Sequence, residues 1–283
     1  MKGIILAGGK GTRLYPLTKC TPKALLPLYD KPMVYYPLST LLENGIKDIL
    51  FITNLEDLVN FRRILGKGSR FGAKFRYKHQ PEPKGIADAF IIGKKFIEKE
   101  DVTLILGDNV FHSTNILKRA MKNFKSGATV FGYQVKDPER YGVVEFNSKK
   151  AISIEEKPQN PKSNYAIPGL YIYDNSVIDV AANLKPSKRG ELEISDVNRH
   201  FLEKGTLNVC KMSRGSAWLD AGTPESFVEA ANYVSTIEKR QGVKIGCPEE
   251  AALKNKLVDK VCLKRHVDKM PNSSYKDYLK GLL

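Results

Sequence analysis

The sequence predicts an α/β fold: a doubly wound, mostly parallel mixed sheet with added antiparallel strands and a helical C-terminus. Two observations predict the sheet. Apolar runs of strand length alternate with helical patterns in the first half of the chain, and closely spaced strands follow after residue 140. Alternation of this kind is typical of βαβ units around a buried parallel sheet. A Lys-rich tail with helical periodicity, from Gln241 onward, predicts the helical end.

The individual elements follow from the same periodicities. Predicted strands cover residues 3–7, 49–53, 75–79, 102–106, 128–133, 142–146, 151–155 and 165–173. Predicted helices cover residues 34–43, 56–65, 86–98, about 191–204 and 224–240, the last with Thr223 as its natural N-cap.

Composition limits the classes of function. The chain has 283 residues, 42% of them hydrophobic, which is enough for a large core. No apolar run approaches the roughly 20 residues of a membrane span, and the start lacks a signal-peptide core, so we expect a cytoplasmic protein without a membrane partner. Four cysteines without C-x-x-C spacing predict reduced thiols.

The net charge of +15 suits polyanionic ligands. The basic residues are spread along the chain, and the aromatic residues do not interleave with them as a base-stacking surface requires. Nucleotides are therefore favoured over nucleic acid.

The first motif is a buried strand that runs into G-G-K-G-T-R, residues 8–13. Its glycines free backbone N–H groups to approach an anion, and Arg13 adds a forked cation. The motif fails the dinucleotide fingerprint, because Leu14 replaces the third glycine, and it fails the Walker pattern. A tight strand-to-helix turn is the alternative interpretation.

Two further segments carry chemistry that suits a phosphate. Lys23 stands between Pro22 and Pro27 in T-P-K-A-L-L-P, which is unlikely to be helical throughout, and it is either a phosphate ligand or a solvated surface lysine. Arg189 precedes a predicted helix N-terminus in R-G-E-L-E-I-S-D, where it either contacts phosphate or is simply exposed.

Carboxylates at strand ends are candidate metal ligands. Asp108 follows the strand 102–106 in G-D-N, at the carboxyl edge of a parallel sheet, where open α/β folds bind ligands. Mg²⁺ takes one or two carboxylates plus phosphate oxygens, but a turn-forming Asp is nearly as good an explanation. Asp220, in W-L-D-A-G-T, is a second candidate because Thr223 already supplies the helix cap.

Glu155 and Glu156 in S-I-E-E-K-P break a strand alternation beside Lys157 and Pro158. Adjacent acid and base at a strand end either bind a polyol and a phosphate or form an exposed ion pair. The four histidines share no metal-ligand spacing, and no Ser or Cys is paired with a His in a pattern that suggests covalent catalysis. Phosphoryl transfer without a protein nucleophile fits that pattern.

Taken together, these segments resemble bacterial glucose-1-phosphate thymidylyltransferases. The resemblance extends in order from Met1 to about Glu250. It rests on G-G-K-G-T-R-L-Y-P, P-K-A-L-L-P-L-Y-D-K-P-M-V-Y-Y-P-L-S, D-P-E-R-Y-G-V-V-E-F, E-E-K-P, K-S-N-Y-A, R-G-E-L-E-I and A-W-L-D-A-G-T.

The resemblance implies an enzyme in which Mg²⁺ brings together dTTP and glucose 1-phosphate, whose phosphate oxygen attacks the α-phosphorus and expels pyrophosphate. Arg13, Lys23 and Lys157 are the implied catalytic residues, and Asp108 and Asp220 the implied metal ligands. The implied nucleotide-binding residues are Gly8, Gly11, Thr12, Arg13, Lys23, Gln80, Gly85 and Asp108. The implied sugar-phosphate-binding residues are Gly142, Glu156, Lys157 and Arg189.

The same resemblance implies the domain plan and the assembly. A catalytic domain covers residues 1–240, with a nucleotide-binding half to about 140 and a sugar-binding half from about 141. Residues 241–283 form a helical oligomer or regulatory contact in an expected homotetramer. Arg214 and the segment from Arg240 match regions implicated in end-product inhibition in the family.

The chain departs from the usual family pattern at Lys10, Ala24 and Pro168, where Ser, Gln and Thr are usual. These departures leave UTP open as the nucleotide and another hexose open as the sugar. Two alternatives come from other classes. One is a catalytically silent sugar-nucleotide sensor on the same fold. The other is an NAD-dependent oxidoreductase, which the missing third glycine disfavours.

Overall fold

Strands and helices alternate through the first 106 residues, and after that strands often follow one another directly. The computed structural model describes residues 1–112, 115–147 and 150–283. The strands are β1 Lys2–Leu6, β2 Pro27–Leu28, β3 Lys31–Pro32, β4 Asp48–Thr53, β5 Lys74–His79, β6 Val102–Leu106, β7 Asn109–His112, β8 Ala128–Gln134, β9 Gly142–Asn147, β10 Lys150–Glu156, β11 Tyr165–Ala166, β12 Leu170–Tyr173, β13 Leu207–Lys211 and β14 Ala217–Asp220. The helices are α1 Tyr35–Glu43, α2 Leu58–Leu65, α3 Asp88–Ile97, α4 Ile116–Asn123, α5 Val177–Ala182, α6 Ile194–Glu203, α7 Pro224–Gln241, α8 Pro248–Lys254, α9 Lys260–Asp268 and α10 Ser274–Lys280.

The chain divides into two compact units, each built from separated segments. The first unit comprises residues 1–6, 80–106 and 112–218, and the second comprises residues 7–79, 107–111 and 219–283. The functional division of the catalytic domain near residue 140 stays a prediction.

In the first unit the strands pair in the order β10-β9-β11-β8-β12-β6-β1, with β13 also pairing with β8. Strands β1 and β6 are parallel, in register from Lys2 opposite Val102 to Leu6 opposite Leu106. Strand β12 runs antiparallel to both β6 and β8. Antiparallel strands are thus added to a parallel pair, and the predicted mixed α/β class is confirmed.

The core of the first unit lies beneath α3, whose apolar face packs on the sheet. Ile4 and Ile5 of β1 are fully buried. Gly93 allows α3 to approach β1 closely, because a Cβ there would lie 3.1 Å from Ile4 Cδ1. The rings of Phe90 and Tyr173 meet edge to face with centroids 5.2 Å apart.

The prediction of one strand over residues 165–173 is wrong, because Pro168 interrupts it. Proline has no N–H to donate to a strand ladder. The Leu170 N–H turns back to the Pro168 carbonyl at 2.7 Å, and the Gly169 carbonyl accepts from Leu106 N at 2.9 Å. The chain therefore forms β11 and β12 with a turn between them.

In the second unit, β4 and β5 form a parallel pair and β2 and β3 form a short hairpin. Helix α7 begins as predicted, with Thr223 as its N-cap: the Thr223 side chain accepts from Ser226 N, and Gly242 ends the helix in the left-handed conformation. The apolar core around this helix includes Leu28, Met33, Tyr36, Val110, Ala230 and Val234.

The C-terminal helices α8, α9 and α10 form in the region where the tail pattern predicts helix. A separate apolar cluster of Cys247, Leu263, Val267 and Leu279 holds them together. Within the described part of the chain, no helix is both long and apolar enough to cross a membrane.

A buried ion cluster joins the β2–β3 hairpin to the end of α7. Glu238 is 5% exposed and accepts from Lys31 Nζ at 2.9 Å, from Lys244 Nζ at 2.7 Å and from Ile245 N at 2.9 Å. Asp30 contacts the same two lysines. Burial disfavours ionisation of Asp30, but the hydrogen bonds and charges of Lys244 and Lys31 outweigh it and lower its pKa. Asp30 is therefore ionised at neutral pH.

We expect Glu238→Ala to lower the free energy of unfolding by about 3 kcal/mol, because removing one partner of a buried ion cluster leaves the other charges poorly compensated. Urea unfolding followed by circular dichroism measures the change. Glu229→Ala is the matched control on the exposed face of the same helix, and its effect should stay within about 0.5 kcal/mol. Equal stability of the two variants would contradict a structural role for the cluster.

Candidate active site

The glycine loop adopts a conformation that depends on its glycines. Gly8 is buried after β1, and Gly11 has a φ of +61°. A Cβ at Gly11 would lie 2.7 Å from Thr18 Cγ2 and 3.3 Å from Lys23 Cβ. The absence of a side chain at Gly11 therefore lets the loop lie against the segment that carries Lys23.

Lys23 and Asp108 form an ion pair within the second unit. Lys23 lies in a single 3₁₀ turn after Pro22, and its ammonium group donates to Asp108 Oδ2. The other carboxylate oxygen, Oδ1, accepts from Asn109 Nδ2 at 2.7 Å. The Lys23 side chain is 13% exposed and that of Asp108 28% exposed, so both charges are largely withdrawn from water.

Asp108 is held in its ionised form. Burial by itself disfavours the charged carboxylate, but the charge and hydrogen bond of Lys23 outweigh it and lower the Asp108 pKa. A carboxylate that is ionised yet poorly hydrated is well suited to bind a cation.

Arg13 and Asp220 lie together around Gly222. A Cβ at Gly222 would lie 3.1 Å from Asp220 Oδ2 and 3.5 Å from Arg13 Nη2. Arg13 itself is exposed, in the 3₁₀ turn of residues 12–14, where buried Leu14 anchors the backbone. Ala221 N donates to the Asp108 carbonyl at 3.1 Å, so the backbone segments bearing the two aspartates are adjacent.

Gln80 and Gly85 lie close together in the first unit. Gln80 is 6% exposed, and its Nε2 donates to Asp88 Oδ2 at 2.8 Å and to the Gly85 carbonyl at 3.3 Å. Gly85 has a φ of +101°, and a Cβ there would lie 2.5 Å from the Leu192 carbonyl oxygen. Only glycine fits this position without moving the backbone.

Glu156 and Gly142 form a second polar group in the same unit. Ser195, which is 1% exposed, donates to Glu156 Oε2 at 2.5 Å. A Cβ at Gly142 would lie 3.1 Å from Ser195 Oγ and 3.4 Å from Glu156 Oε2. The bare Gly142 backbone therefore lies directly beside the Glu156 carboxylate.

Arg189 is held by a bidentate carboxylate pair. Its Nε and Nη2 donate to the two oxygens of Glu193 at 3.1 and 3.0 Å, and Nη2 also donates to Glu191 at 3.0 Å. Nη2 lies 4.0 Å from Glu156 Oε1. The Arg189 side chain is 43% exposed, so it is oriented but still accessible.

The prediction that Arg189 stands just before a helix N-terminus is wrong. Helix α6 begins at Ile194, and the preceding segment is bonded to residues 84–87 instead. Leu192 N donates to the Lys84 carbonyl at 2.7 Å, and Ala87 N donates to the Leu192 carbonyl at 3.2 Å. These bonds keep the segment extended.

Lys157 follows β10 in an uncommon backbone conformation. Its φ is +44°, which a non-glycine residue rarely adopts, and its N–H donates to the Tyr141 carbonyl at 3.0 Å. The ammonium lies 4.0 Å from Glu156 Oε1 and is 45% exposed. Glu156 thus has Lys157 and Arg189 at equal distances, beside a cleft of about 440 Å³ that Ser187, Glu193 and Arg199 also line.

The predicted site residues fall into three groups. The second unit holds one group: Gly8, Gly11, Thr12, Arg13, Lys23, Asp108 and Asp220. The first unit holds two separate groups: Gln80 with Gly85, and Gly142 with Glu156, Lys157 and Arg189. The structure brings Lys23 to Asp108 and Arg13 to Asp220. In the first unit it brings Gly142, Lys157 and Arg189 to Glu156.

Asp88, Glu193 and Ser195 were not predicted. Each contacts a predicted residue through its side chain. Asp88 opens α3, where an acidic residue is ordinarily explained by the helix dipole, so its position alone does not single it out. Glu193 could have been found from the sequence, because it is one of the acidic residues that closely follow Arg189 and could pair with it.

The chain is similar to known nucleotidyl transferases along its whole length. Residues 2–236 match the nucleotidyl transferase family. A glucose-1-phosphate thymidylyltransferase of Neisseria meningitidis serogroup A is 55% identical over 100% of this chain and 99% of its own. One of Mycolicibacterium smegmatis is 52% identical with the same coverage.

Two solved structures are also similar. A protein described as a glucose-1-phosphate thymidylyltransferase of Bacillus anthracis, in complex with sucrose, superposes with a TM-score of 0.78 at 45% identity, over 82% of this chain and 94% of that one. A UDP-glucose pyrophosphorylase with bound UDP-glucose has a TM-score of 0.72 at 27% identity, over 83% and 98%.

The fold is that of the α/β nucleotidyltransferases. The chain belongs to the nucleotidyl transferase family, and it is an enzyme of that class. The resemblance to glucose-1-phosphate thymidylyltransferases is confirmed by relatives that match along its whole length.

We expect Lys23→Met to raise the Asp108 pKa above its ordinary value, because burial would then act without the compensating lysine. In the unaltered protein the lowered pKa stabilises the fold above the pKa of the unfolded chain, and this contribution is lost as the pH falls through the folded pKa. In the variant the raised pKa costs stability at neutral pH, and this cost is relieved as the pH falls through the folded pKa, so Asp108 should no longer contribute to acid unfolding.

Carboxyl ¹³C NMR titration measures the Asp108 pKa directly. Lys19→Met is the control, because Lys19 is an exposed lysine in the neighbouring 3₁₀ turn. An Asp108 pKa that stays lowered in Lys23→Met would show that the ion pair does not hold the charge.

Proposed function

We propose that this protein joins dTTP and α-D-glucose 1-phosphate to give dTDP-glucose and pyrophosphate, with Mg²⁺ as cofactor. The observation that carries the proposal is the Lys23–Asp108 pair beside the glycine loop, where a phosphate-binding cation and a metal-binding carboxylate are in contact. Relatives named for this activity, 55% and 52% identical over the whole chain, support it.

The residues present fit a magnesium ion that arrives with the nucleotide. No group of three or more ligating side chains occurs among the described residues. Mg²⁺ needs only one or two carboxylates when phosphate oxygens complete its shell. Asp108 and Asp220 supply hard oxygen donors on adjacent backbone segments. Bound there, the ion would neutralise charge on the triphosphate and help to hold its α-phosphorus in position.

The triphosphate is assigned to the glycine loop and its two cations. Gly8, Gly11 and Thr12 offer backbone N–H groups, and Arg13 and Lys23 supply positive charge. With the triphosphate bound, Lys23 would contact phosphate oxygens in place of Asp108, and Asp108 would be free to hold the metal. This exchange keeps every charge compensated before and after the substrate arrives.

The base is assigned to Gln80 and Gly85. No group in the described residues donates to Gln80 Oε1 or accepts from Gly85 N–H. An acceptor beside a donor complements the N–H and C=O of thymine or uracil.

The sugar phosphate is assigned to the cleft beside Glu156. Glu156 and the Gly142 backbone bind sugar hydroxyls, and Lys157 and Arg189 bind the phosphate. A phosphate oxygen then attacks the α-phosphorus in line. A new P–O bond forms, the bond to the bridging oxygen of the β-phosphate breaks, and pyrophosphate leaves with that electron pair. Catalysis consists of alignment and charge neutralisation of two polyanions.

UTP is the second candidate nucleotide, because a UDP-glucose pyrophosphorylase superposes over 83% of the chain. The Gln80–Gly85 pair suits both bases, since the thymine methyl group takes no part in these hydrogen bonds. Our proposal also includes a homotetramer and a cytoplasmic location. The four free cysteines are consistent with a reducing compartment.

The experiment is a panel of dTTP, UTP, dCTP and ATP against glucose 1-phosphate and other hexose 1-phosphates, read by pyrophosphate release with and without EDTA. We expect dTTP with glucose 1-phosphate to be used best and EDTA to stop the reaction. Asp108→Ala should lower turnover by at least about a thousandfold, because the cation loses a ligand at the point of charge development. Asp268→Ala, an exposed aspartate of α9, should leave turnover unchanged.

Undiminished turnover of Asp108→Ala would contradict the assignment of Asp108 as a magnesium ligand. Binding of dTDP-glucose without any pyrophosphate release by the unaltered protein would show the sensor instead of the enzyme.

A further inference from the structure

We infer that Asp88 is a positioning residue that fixes the orientation of the Gln80 amide and so selects a nucleobase that offers an imide N–H. The inference rests on the proposed function, because it takes Gln80 as the residue that contacts the base.

The orientation of a buried amide is set by its neighbours. A glutamine presents either an acceptor oxygen or a donor NH₂ to a ligand, depending on which end its surroundings bind. Gln80 is 6% exposed, so its surroundings are protein. Both of its hydrogen-bond partners are acceptors: the Asp88 carboxylate at 2.8 Å and the Gly85 carbonyl at 3.3 Å.

The Asp88 bond decides the orientation. An ionised carboxylate has no proton to donate, so it binds only the NH₂ end, and the bond to a charged acceptor is the stronger kind. The Gly85 carbonyl bond is longer and neutral. Because Nε2 is bonded to Asp88 and to the Gly85 carbonyl, Oε1 is the atom of the Gln80 amide that remains for a ligand.

Asp88 is itself fixed by its position. It is 8% exposed at the start of α3, next to Ala89 and Phe90, which are fully buried. The carboxylate is therefore not a mobile surface group, and turning the Gln80 amide over would place its oxygen against a carboxylate oxygen. Such a contact between two acceptors in a buried place is strongly unfavourable.

The consequence is that Gln80 offers a fixed acceptor, Oε1, to a ligand, and the neighbouring residue Gly85, whose carbonyl Gln80 contacts, offers its N–H as a donor. Uracil and thymine present N3–H beside a carbonyl oxygen, which matches this pattern. Cytosine presents an N3 lone pair beside an NH₂ group, so both contacts would set like against like. Asp88 therefore excludes cytosine nucleotides, although it does not contact the base itself.

The test is the ratio of kcat/KM for dTTP to kcat/KM for dCTP, with glucose 1-phosphate and Mg²⁺ saturating. Asp88→Asn keeps the shape but offers both a donor and an acceptor, so the Gln80 amide can turn over. We expect the ratio to fall roughly ten- to a hundredfold, the range that one charged hydrogen bond supports. Asp88→Ala, which removes the acceptor altogether, is the second variant if Asp88→Asn does not fold.

Two controls separate positioning from stability. Asp179→Asn makes the same change in the first turn of α5, where the carboxylate is exposed, and should leave the ratio unchanged. In a Gln80→Ala background, Asp88→Asn should have no further effect on the ratio, because its action passes through Gln80.

The outcomes are distinct. An equal loss with dTTP and dCTP would mean that Asp88 only stabilises α3, and it would overturn the inference. An unchanged ratio in Asp88→Asn, with active unaltered enzyme, would also overturn it while leaving the proposed function intact. Failure of the unaltered protein to use either dTTP or UTP would refute the proposed function instead.

Discussion

Compensation of cations by carboxylates is the constraint on which the site depends. A protein with a net charge of +15 must keep cations close together to bind phosphates, and each needs a partner while no ligand is bound. Lys23 has Asp108, and Arg189 has Glu193 and, at 4.0 Å, Glu156. These carboxylates hold the cations in defined positions, and we propose that substrate binding exchanges partners without rearranging the fold.

Much of the fold could be predicted because hydrophobic periodicity and helix caps are local. The strand at residues 102–106 and the Thr223 cap were predicted at their observed positions. The break at Pro168 was missed, because the apolar pattern of residues 165–173 continues through it and only the lost N–H reveals the turn. The two interleaved units also lay beyond prediction, since contacts between distant segments define them.

The candidate site residues also divide into those that could be predicted from the sequence and those that could not. Gly11 and Asp108 could be singled out from the sequence, because a glycine run and an acid after a buried strand carry physical meaning on their own. Asp88 and Ser195 could not, because their roles exist only through a second side chain: Gln80 for one and Glu156 for the other. Residues that orient a ligand-binding group become visible only when the contact itself is seen.

We propose that the Lys23–Asp108 contact is exchanged for contacts to the triphosphate and its magnesium ion when the nucleotide binds. A crystal structure of the protein with Mg²⁺ and a non-hydrolysable dTTP analogue tests it most directly. We predict that Lys23 Nζ contacts phosphate oxygens, that Asp108 coordinates the ion, and that the direct Lys23–Asp108 hydrogen bond is broken. An intact pair, with the nucleotide phosphates bound to other residues, would contradict the account.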